Sequence, residues 1–276
     1  MINAKTTLYG LVGYPVEHSL SPMFWNAAFK ELKTNSVYVA LPVTPDKIIP
    51  AIIGLKESGF KGLNITRPHK ESVAKICNIL HDAAIITKVV NTIKFSSTNI
   101  EGWNTDASGF LNILKKFNLP QTKVLVLGNG ASSKSVLWAL QKYGVQEIFQ
   151  IARKFIIESE EKKEIYNGEK IILRKLSWNL KNFNNSIKES DIIINATSIG
   201  WSKEDNIEGF SYYLNTSKCF IDLNYNKDSN ILAIAHKNCG LTIDGRELLY
   251  EQGIEAFKIL TNLAPSAEVI RSIIFD

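Results

Sequence analysis

The chain has 276 residues, 45% hydrophobic and 21% charged, which excludes a disordered polypeptide and suggests about two globular domains. Its 32 Lys and Arg against 27 Asp and Glu leave a net charge of +5, mixed with acids as in Glu160-Glu161-Lys162-Lys163-Glu164, so no nucleic-acid partner is expected. No apolar run reaches the ~20 residues of a membrane span, so no membrane association is expected. The N-terminus runs into a strand-like segment rather than a secretory leader. Three scattered cysteines and four histidines without ligand spacing exclude a disulfide framework and a metal centre, and a cytoplasmic protein is expected.

Strand-like apolar runs alternate with helical patterns along the whole chain, the mark of an α/β protein with mostly parallel sheets. The first half predicts strands near Thr7–Gly13, Val37–Pro42, Gly62–Thr66 and Val90–Phe95, with helices at Pro22–Leu32 and Lys70–Leu80. A helix over Ser108–Phe117 leads to Leu119-Pro120, a boundary signal. Beyond it come a strand at Lys123–Leu127, a helix over Ala131–Tyr143 ending at Gly144, and strands at Glu147–Ala152, Asp191–Asn195 and Cys219–Leu223. A last helix at about Leu248–Leu260 is amphipathic and able to return to the first domain.

Gly128-Asn129-Gly130-Ala131-Ser132-Ser133 follows a strand and opens a helix, which is the mechanical requirement for holding a pyrophosphate. The sixth position is Ser, so the generic fingerprint is only partly met, and a plain strand-to-helix turn remains the alternative. The next strand ends in Ala152-Arg153-Lys154, where an NAD site usually carries an acid. Two cations there suit a 2′-phosphate, so NADP is favoured over NAD; two solvated basic residues are the plain alternative.

Ser19 and Ser21 precede Pro22 at a helix start, a place suited to a carboxylate, although Ser21 could simply cap the helix. Lys70 follows Thr66-Arg67-Pro68-His69 at the rim of the sheet, where a Lys beside a carboxylate can shuttle a proton; most lysines are merely solvated. Asp106 supplies a candidate carboxylate, and taken alone reads as an N-cap.

These segments together resemble the shikimate dehydrogenase family. Its G-x-P-x-x-H-S-x-S-P entry corresponds to Gly13–Pro22, N-V-T-x-P-x-K to Asn64–Lys70, V-N-T to Val90-Asn91-Thr92 and G-x-N-T-D to Gly102–Asp106. N-A-T-S is Asn195–Ser198, D-x-x-Y is Asp222–Tyr225, and the terminal D-G-x-x-x-L-x-x-Q is Asp244–Gln252. The blocks keep the family order and span nearly the whole chain.

The resemblance implies reversible, NADPH-dependent reduction of 3-dehydroshikimate to shikimate, in chorismate and aromatic amino acid biosynthesis. By it, Lys70 is the general acid/base, oriented by Asp106. Ser19 and Ser21 bind the substrate carboxylate, Thr66, Asn91, Asp106 and Gln252 the ring hydroxyls, and Tyr225 lines the substrate site. Gly128, Asn129, Gly130, Ala131 and Ser132 bind the pyrophosphate, and Arg153 with Lys154 the 2′-phosphate. Thr197, Ser198, Leu223 and Gly245 lie along the cofactor, with Asp82 at its edge.

The implied fold has a substrate domain of residues 1–105 completed by 245–276. A Rossmann-type NADP domain of residues 106–244 lies between them, with the active site in the cleft. The expected partner is a small molecule, and the expected state a monomer or homodimer. Departures from the family pattern are Trp25 for His, Lys88-Val89 for Gly-Ala, Trp103 for an acid, Ala131 for Gly and Ala152 for Asn. The competing readings are a quinate/shikimate dehydrogenase using NAD(P) and a non-catalytic paralogue that senses shikimate-like acids.

Overall fold

The structure, a computed structural model, describes residues 2–155, 160–166 and 169–275. It divides into two compact units: one runs to Gly109 and resumes at Leu249, the other spans Phe110–Leu248.

The first unit contains β1 (Thr7–Gly13), α1 (Ser21–Glu31), β2 (Ser36–Pro42), α2 (Ile48–Glu57), β3 (Gly62–Ile65), α3 (Lys70–Ala74), β4 (Ile79–Leu80), α4 (Ala83–Thr87), β5 (Thr92–Phe95) and β6 (Ile100–Trp103). Helix α5 (Thr105–Lys116) crosses into the second unit. There follow β7 (Lys123–Leu127), α6 (Ala131–Tyr143), β8 (Glu147–Ala152), β9 (Glu160–Tyr166), β10 (Glu169–Ser177), α7 (Leu180–Glu189), β11 (Ile192–Asn195), β12 (Cys219–Asp222), α8 (Asn230–Asn238) and β13 (Leu241–Ile243). Helix α9 (Gly245–Thr261) leads back to the first unit, which α10 (Ala267–Phe275) completes.

The first sheet has the order β2-β1-β3-β5-β6-β4, with β1 parallel to β2 and β3, β4 parallel to β6, and β5 antiparallel to both neighbours. Both faces are covered: Leu11 enters a core with Trp25, Phe29 and Phe257, and Val12 enters another with Ile52, Leu63 and Ile93. That is why β1 reads as a continuous apolar run rather than an alternating one. The second sheet has the order β13-β12-β11-β7-β8-β10-β9, parallel except for the β9–β10 pair. Without the edge strand β9 this is the doubly wound order of a Rossmann sheet, whose switch point lies between β7 and β11. Val124 and Val126 face one core of that unit, Leu125 and Leu127 the other.

Two expectations need correction. The helix expected over Lys70–Leu80 ends at Ala74, because Ile79–Leu80 pair with Glu101–Gly102 of β6 and the Asn78 N–H donates to the Ile100 carbonyl at 2.8 Å. The amphipathic helix near Leu248–Leu260 begins at Gly245, and it is not the last, since α10 follows.

Candidate active site

Strands β1 and β3 run parallel, Val12 opposite Ile65, so the segments leaving their carboxyl ends lie side by side. The Tyr14 N–H donates to the Arg67 carbonyl at 3.0 Å. The first segment carries Ser19 and Ser21 to the amino end of α1. Leu20, not Ser21, holds the cap position there, and Ser19 Oγ accepts from the Ser21 N–H at 3.2 Å. The second segment carries Thr66, whose N–H donates to the Val12 carbonyl at 2.9 Å, and then Lys70 at the start of α3. Between them the buried His69 ring lies with Nε2 2.7 Å from the Val43 carbonyl, which anchors the turn that presents Lys70.

Lys70 Nζ donates to Asp106 Oδ2 at 2.6 Å, with only 13% and 11% of the two side chains exposed. Asp106 does not cap α5. Asn104 does, its Oδ1 accepting the Ala107 N–H at 3.2 Å, and this leaves the Asp106 carboxylate to Lys70. Asn91 Nδ2 lies 3.0 Å from Asp106 Oδ1, 2.9 Å from Thr105 Oγ1 and 3.4 Å from Gln252 Oε1, while Asn91 Oδ1 accepts the Thr105 N–H at 2.7 Å. Lys70, Asn91, Asp106 and Gln252 thus form one polar group.

Gly109 lets α5 and α9 approach: a Cβ there would stand 2.9 Å from the Gln252 nitrogen. One turn along α9, Glu255 accepts from Ser108 Oγ at 2.5 Å. Burial raises the Glu255 carboxyl above the usual range, and the Asp82 charge adds to that shift. Asp82 itself is exposed, at φ +45°, beside His81, whose ring stacks on Trp103 at 4.2 Å and bonds Glu101 at 2.9 Å.

In the second unit, Gly128 ends β7 at φ +111°, and a Cβ there would lie 2.9 Å from the Ala196 carbonyl oxygen. Only glycine allows β7 to turn so closely under the end of β11. Asn129 and Gly130 follow, Gly130 with open space about its Cα, and Ala131 and Ser132 open α6. Arg153 and Lys154 are exposed just past the end of β8.

At the ends of β11 and β12, Asn195 Oδ1 accepts from the Thr197 N–H and Oγ1 at 3.1 and 2.6 Å. Asn224 Nδ2 donates to the Thr197 and Ile199 carbonyls. Ser198 is exposed, Leu223 half-buried, and the Gly245 N–H donates to the Asn224 carbonyl at 3.0 Å. Tyr225 packs edge-on against Trp201, ring centroids 5.2 Å apart. It lies in this unit, whereas the other expected substrate residues lie in the first; Asp82, expected at the cofactor, lies in the first unit too.

Some supporting residues carry no usable signal in sequence. Ser133, at the position where the generic fingerprint has Gly, is fully buried; its Oγ donates to the Gly128 carbonyl at 2.9 Å, and Gln150 Nε2 donates to both at 2.9 Å. Of the departures, Trp25 has a local reason and Lys88 a local cost. Trp25 is buried and stacked on Tyr38 at 4.7 Å, filling the core. Lys88 stands at φ +53°, a conformation that glycine, the family residue there, adopts without strain.

Residues 11–93 match the model of the shikimate dehydrogenase substrate binding domain. A shikimate dehydrogenase (NADP+) of Methanopyrus kandleri is 34% identical over 100% of this chain and 97% of its own length. The chain belongs to the shikimate dehydrogenase family. The crystal structure of shikimate dehydrogenase from Aquifex aeolicus superposes with a TM-score of 0.86 at 34% identity, covering 100% of both chains. Another shikimate dehydrogenase, solved in complex with NADP+, gives 0.86 at 32% identity over 100% of this chain and 97% of that one.

The second unit fits the cofactor named for those relatives. A dinucleotide needs backbone free of Cβ atoms before a helix start, and Gly128 and Gly130 provide it at the switch point of the sheet. A 2′-phosphate needs cations past the second strand, where Arg153 and Lys154 stand.

Proposed function

We propose that this protein catalyses the reversible, NADPH-dependent reduction of 3-dehydroshikimate to shikimate, an oxidoreductase reaction on a CH–OH group. The observation that carries the reading is the half-sealed Lys70–Asp106 pair, 2.6 Å apart, with Asn91 and Gln252 around it. The first unit acts as the substrate domain and the second as the NADP domain.

When bound, NADPH supplies the hydride that the protein cannot make. Lys70 Nζ gives a proton to the substrate oxygen as the ketone becomes an alcohol, and takes it back in the reverse direction. Asp106 Oδ2 holds the ammonium in place, and Asn91, bonded to Oδ1, holds the carboxylate. Ser19 and Ser21 anchor the substrate carboxylate, while Thr66, Asn91, Asp106 and Gln252 bind the ring hydroxyls, so remote contacts orient the reacting carbon. Tyr225 lines the substrate site, and Asp82 borders the cofactor.

Gly128, Asn129, Gly130, Ala131 and Ser132 take the pyrophosphate, Arg153 and Lys154 the 2′-phosphate, and Thr197, Ser198, Leu223 and Gly245 the rest of the cofactor. No helix among the described residues is long and apolar enough to cross a membrane. Three free cysteines accord with a cytoplasmic enzyme that works on small molecules as a monomer or homodimer.

The test offers shikimate or quinate with NADP or NAD in all four pairings, beside Lys70→Ala. Turnover is expected with shikimate and NADP only, falling about 10²- to 10⁴-fold in the variant with shikimate affinity nearly unchanged. Turnover of quinate, or use of NAD, would assign the broader dehydrogenase class. Silence in all four with binding intact would assign the sensing paralogue.

A further inference from the structure

Asp222 ends β12, is 1% exposed, and takes no part in the proton transfer described above. Its Oδ1 accepts from Asn195 Nδ2 at 3.0 Å and from the Asn224 N–H at 2.9 Å. Through Asn195 it reaches Thr197, whose N–H and hydroxyl both bond Asn195 Oδ1. Through Asn224 it reaches Gly245, whose N–H bonds the Asn224 carbonyl, and Thr197 again, whose carbonyl accepts from Asn224 Nδ2. Leu223 is its neighbour in the chain. One oxygen therefore ties together Thr197, Leu223 and Gly245, three of the groups assigned to the cofactor, from three separate segments.

The other oxygen, Oδ2, is buried without a hydrogen-bond partner among the described residues. Burial pushes the Asp222 carboxyl up to about 7, and the Asp244 charge contributes in the same direction. Such a group costs the fold stability, so its stabilising interactions alone give no reason for a carboxyl here. An acceptor that two amides can share is what the position does require.

We propose that Asp222 is a positioning residue for the cofactor: it fixes the ends of β11 and β12 and the start of α9 in the arrangement that receives the nicotinamide half of NADP. This rests on the second unit being the NADP domain. Asp222 touches no ligand; it acts through Asn195 and Asn224. In Asp222→Ala the two amides lose their shared acceptor, Thr197 and Gly245 lose their common anchor, and the segments must be ordered again each time cofactor binds. Asp222→Asn keeps an oxygen where Oδ1 stands and removes the buried acid.

The test is calorimetric titration of the full-length wild type, Asp222→Ala and Asp222→Asn with NADP+ and, separately, with shikimate, with melting temperature recorded for each. Asp222→Ala is expected to bind NADP+ about ten- to a hundredfold more weakly, the scale of losing hydrogen bonds to a buried charged acceptor, with shikimate affinity much less affected. Asp222→Asn is expected to recover most of that loss. Wild-type affinity in Asp222→Ala, equal losses for NADP+ and shikimate, or an Asn variant no better than Ala would each overturn the assignment. Failure of the wild type to bind NADP+ would instead overturn the reading of the second unit as the cofactor domain.

Discussion

Asn91 and Gln252, in hydrogen-bond contact in the first unit, stand 161 positions apart, and Lys70 and Asp106 stand 36 apart. In the second unit the corresponding contacts reach less far along the chain, from two positions for Thr197 to Asn195 and five for Ser133 to Gly128 up to 27 for Asn195 to Asp222. The first unit presents functional side chains that other side chains aim. The second presents mainly backbone, bent by glycine and secured from below by buried polar groups such as Ser133, Gln150, Asn195 and Asp222. Loss of one side chain should therefore remove chemistry in the first unit, and in the second should loosen a turn and weaken affinity.

The largest effect that would sharpen this contrast is expected from Asp106→Ala. The Lys70 ammonium then lacks the carboxylate that holds it in a largely buried setting, and turnover should fall about 10²-fold or more, a larger loss than the one in stability. Steady-state kinetics beside a thermal melt would decide it, and an equal loss of stability would break the comparison.

Next comes the pH dependence of stability in the second unit. Folding raises the Asp222 carboxyl from 3.8 to about 7, so between those values the native state holds more protons than the unfolded chain. Stability from this group is full below about pH 4 and is lost as pH rises through 7, a change of a few kcal/mol at most. Denaturant titrations from pH 4 to 8 should show that downward slope, and Asp222→Asn should flatten it.

Gly128→Ala comes third. The φ of +111° and the 2.9 Å approach to the Ala196 oxygen should cost about 1–3 kcal/mol and weaken NADP+ binding, while leaving shikimate binding alone; calorimetry with each ligand checks it. Ser133→Ala removes the donor to the Gly128 carbonyl and leaves Gln150 one acceptor short, a loss of about 1 kcal/mol in urea unfolding. The smallest effect, and one of opposite sign, is expected from Lys88→Gly: relief of the φ of +53° should add about 0.5 kcal/mol, visible as a rise in urea midpoint with unchanged kinetics.

Much of the architecture was legible because it is local. The apolar runs of β1 and β7, Gly144 as the left-handed cap of α6 at φ +98°, and the strand–glycine–helix run at Gly128 all follow from chemistry within a few residues. The helix expected over Lys70–Leu80 failed for the opposite reason. Its second half has helical spacing, but β6 offers Ile79–Leu80 a strand partner from 22 residues away, and pairing wins.

The sequence by itself determined the two α/β units, the cofactor turn, the residue types at the site and, through the ordered motifs, the family. Only the tertiary structure decided that Asn104 rather than Asp106 caps α5, that Ser133 is a buried clasp for Gly128, and that Asp222 lies buried beneath three segments with one oxygen unpaired among the described residues. Propensity, turn chemistry and glycine placement act along the chain and are written in it. Burial, and the identity of a hydrogen-bond partner, depend on which strands become neighbours, and that is fixed only when the sheets assemble.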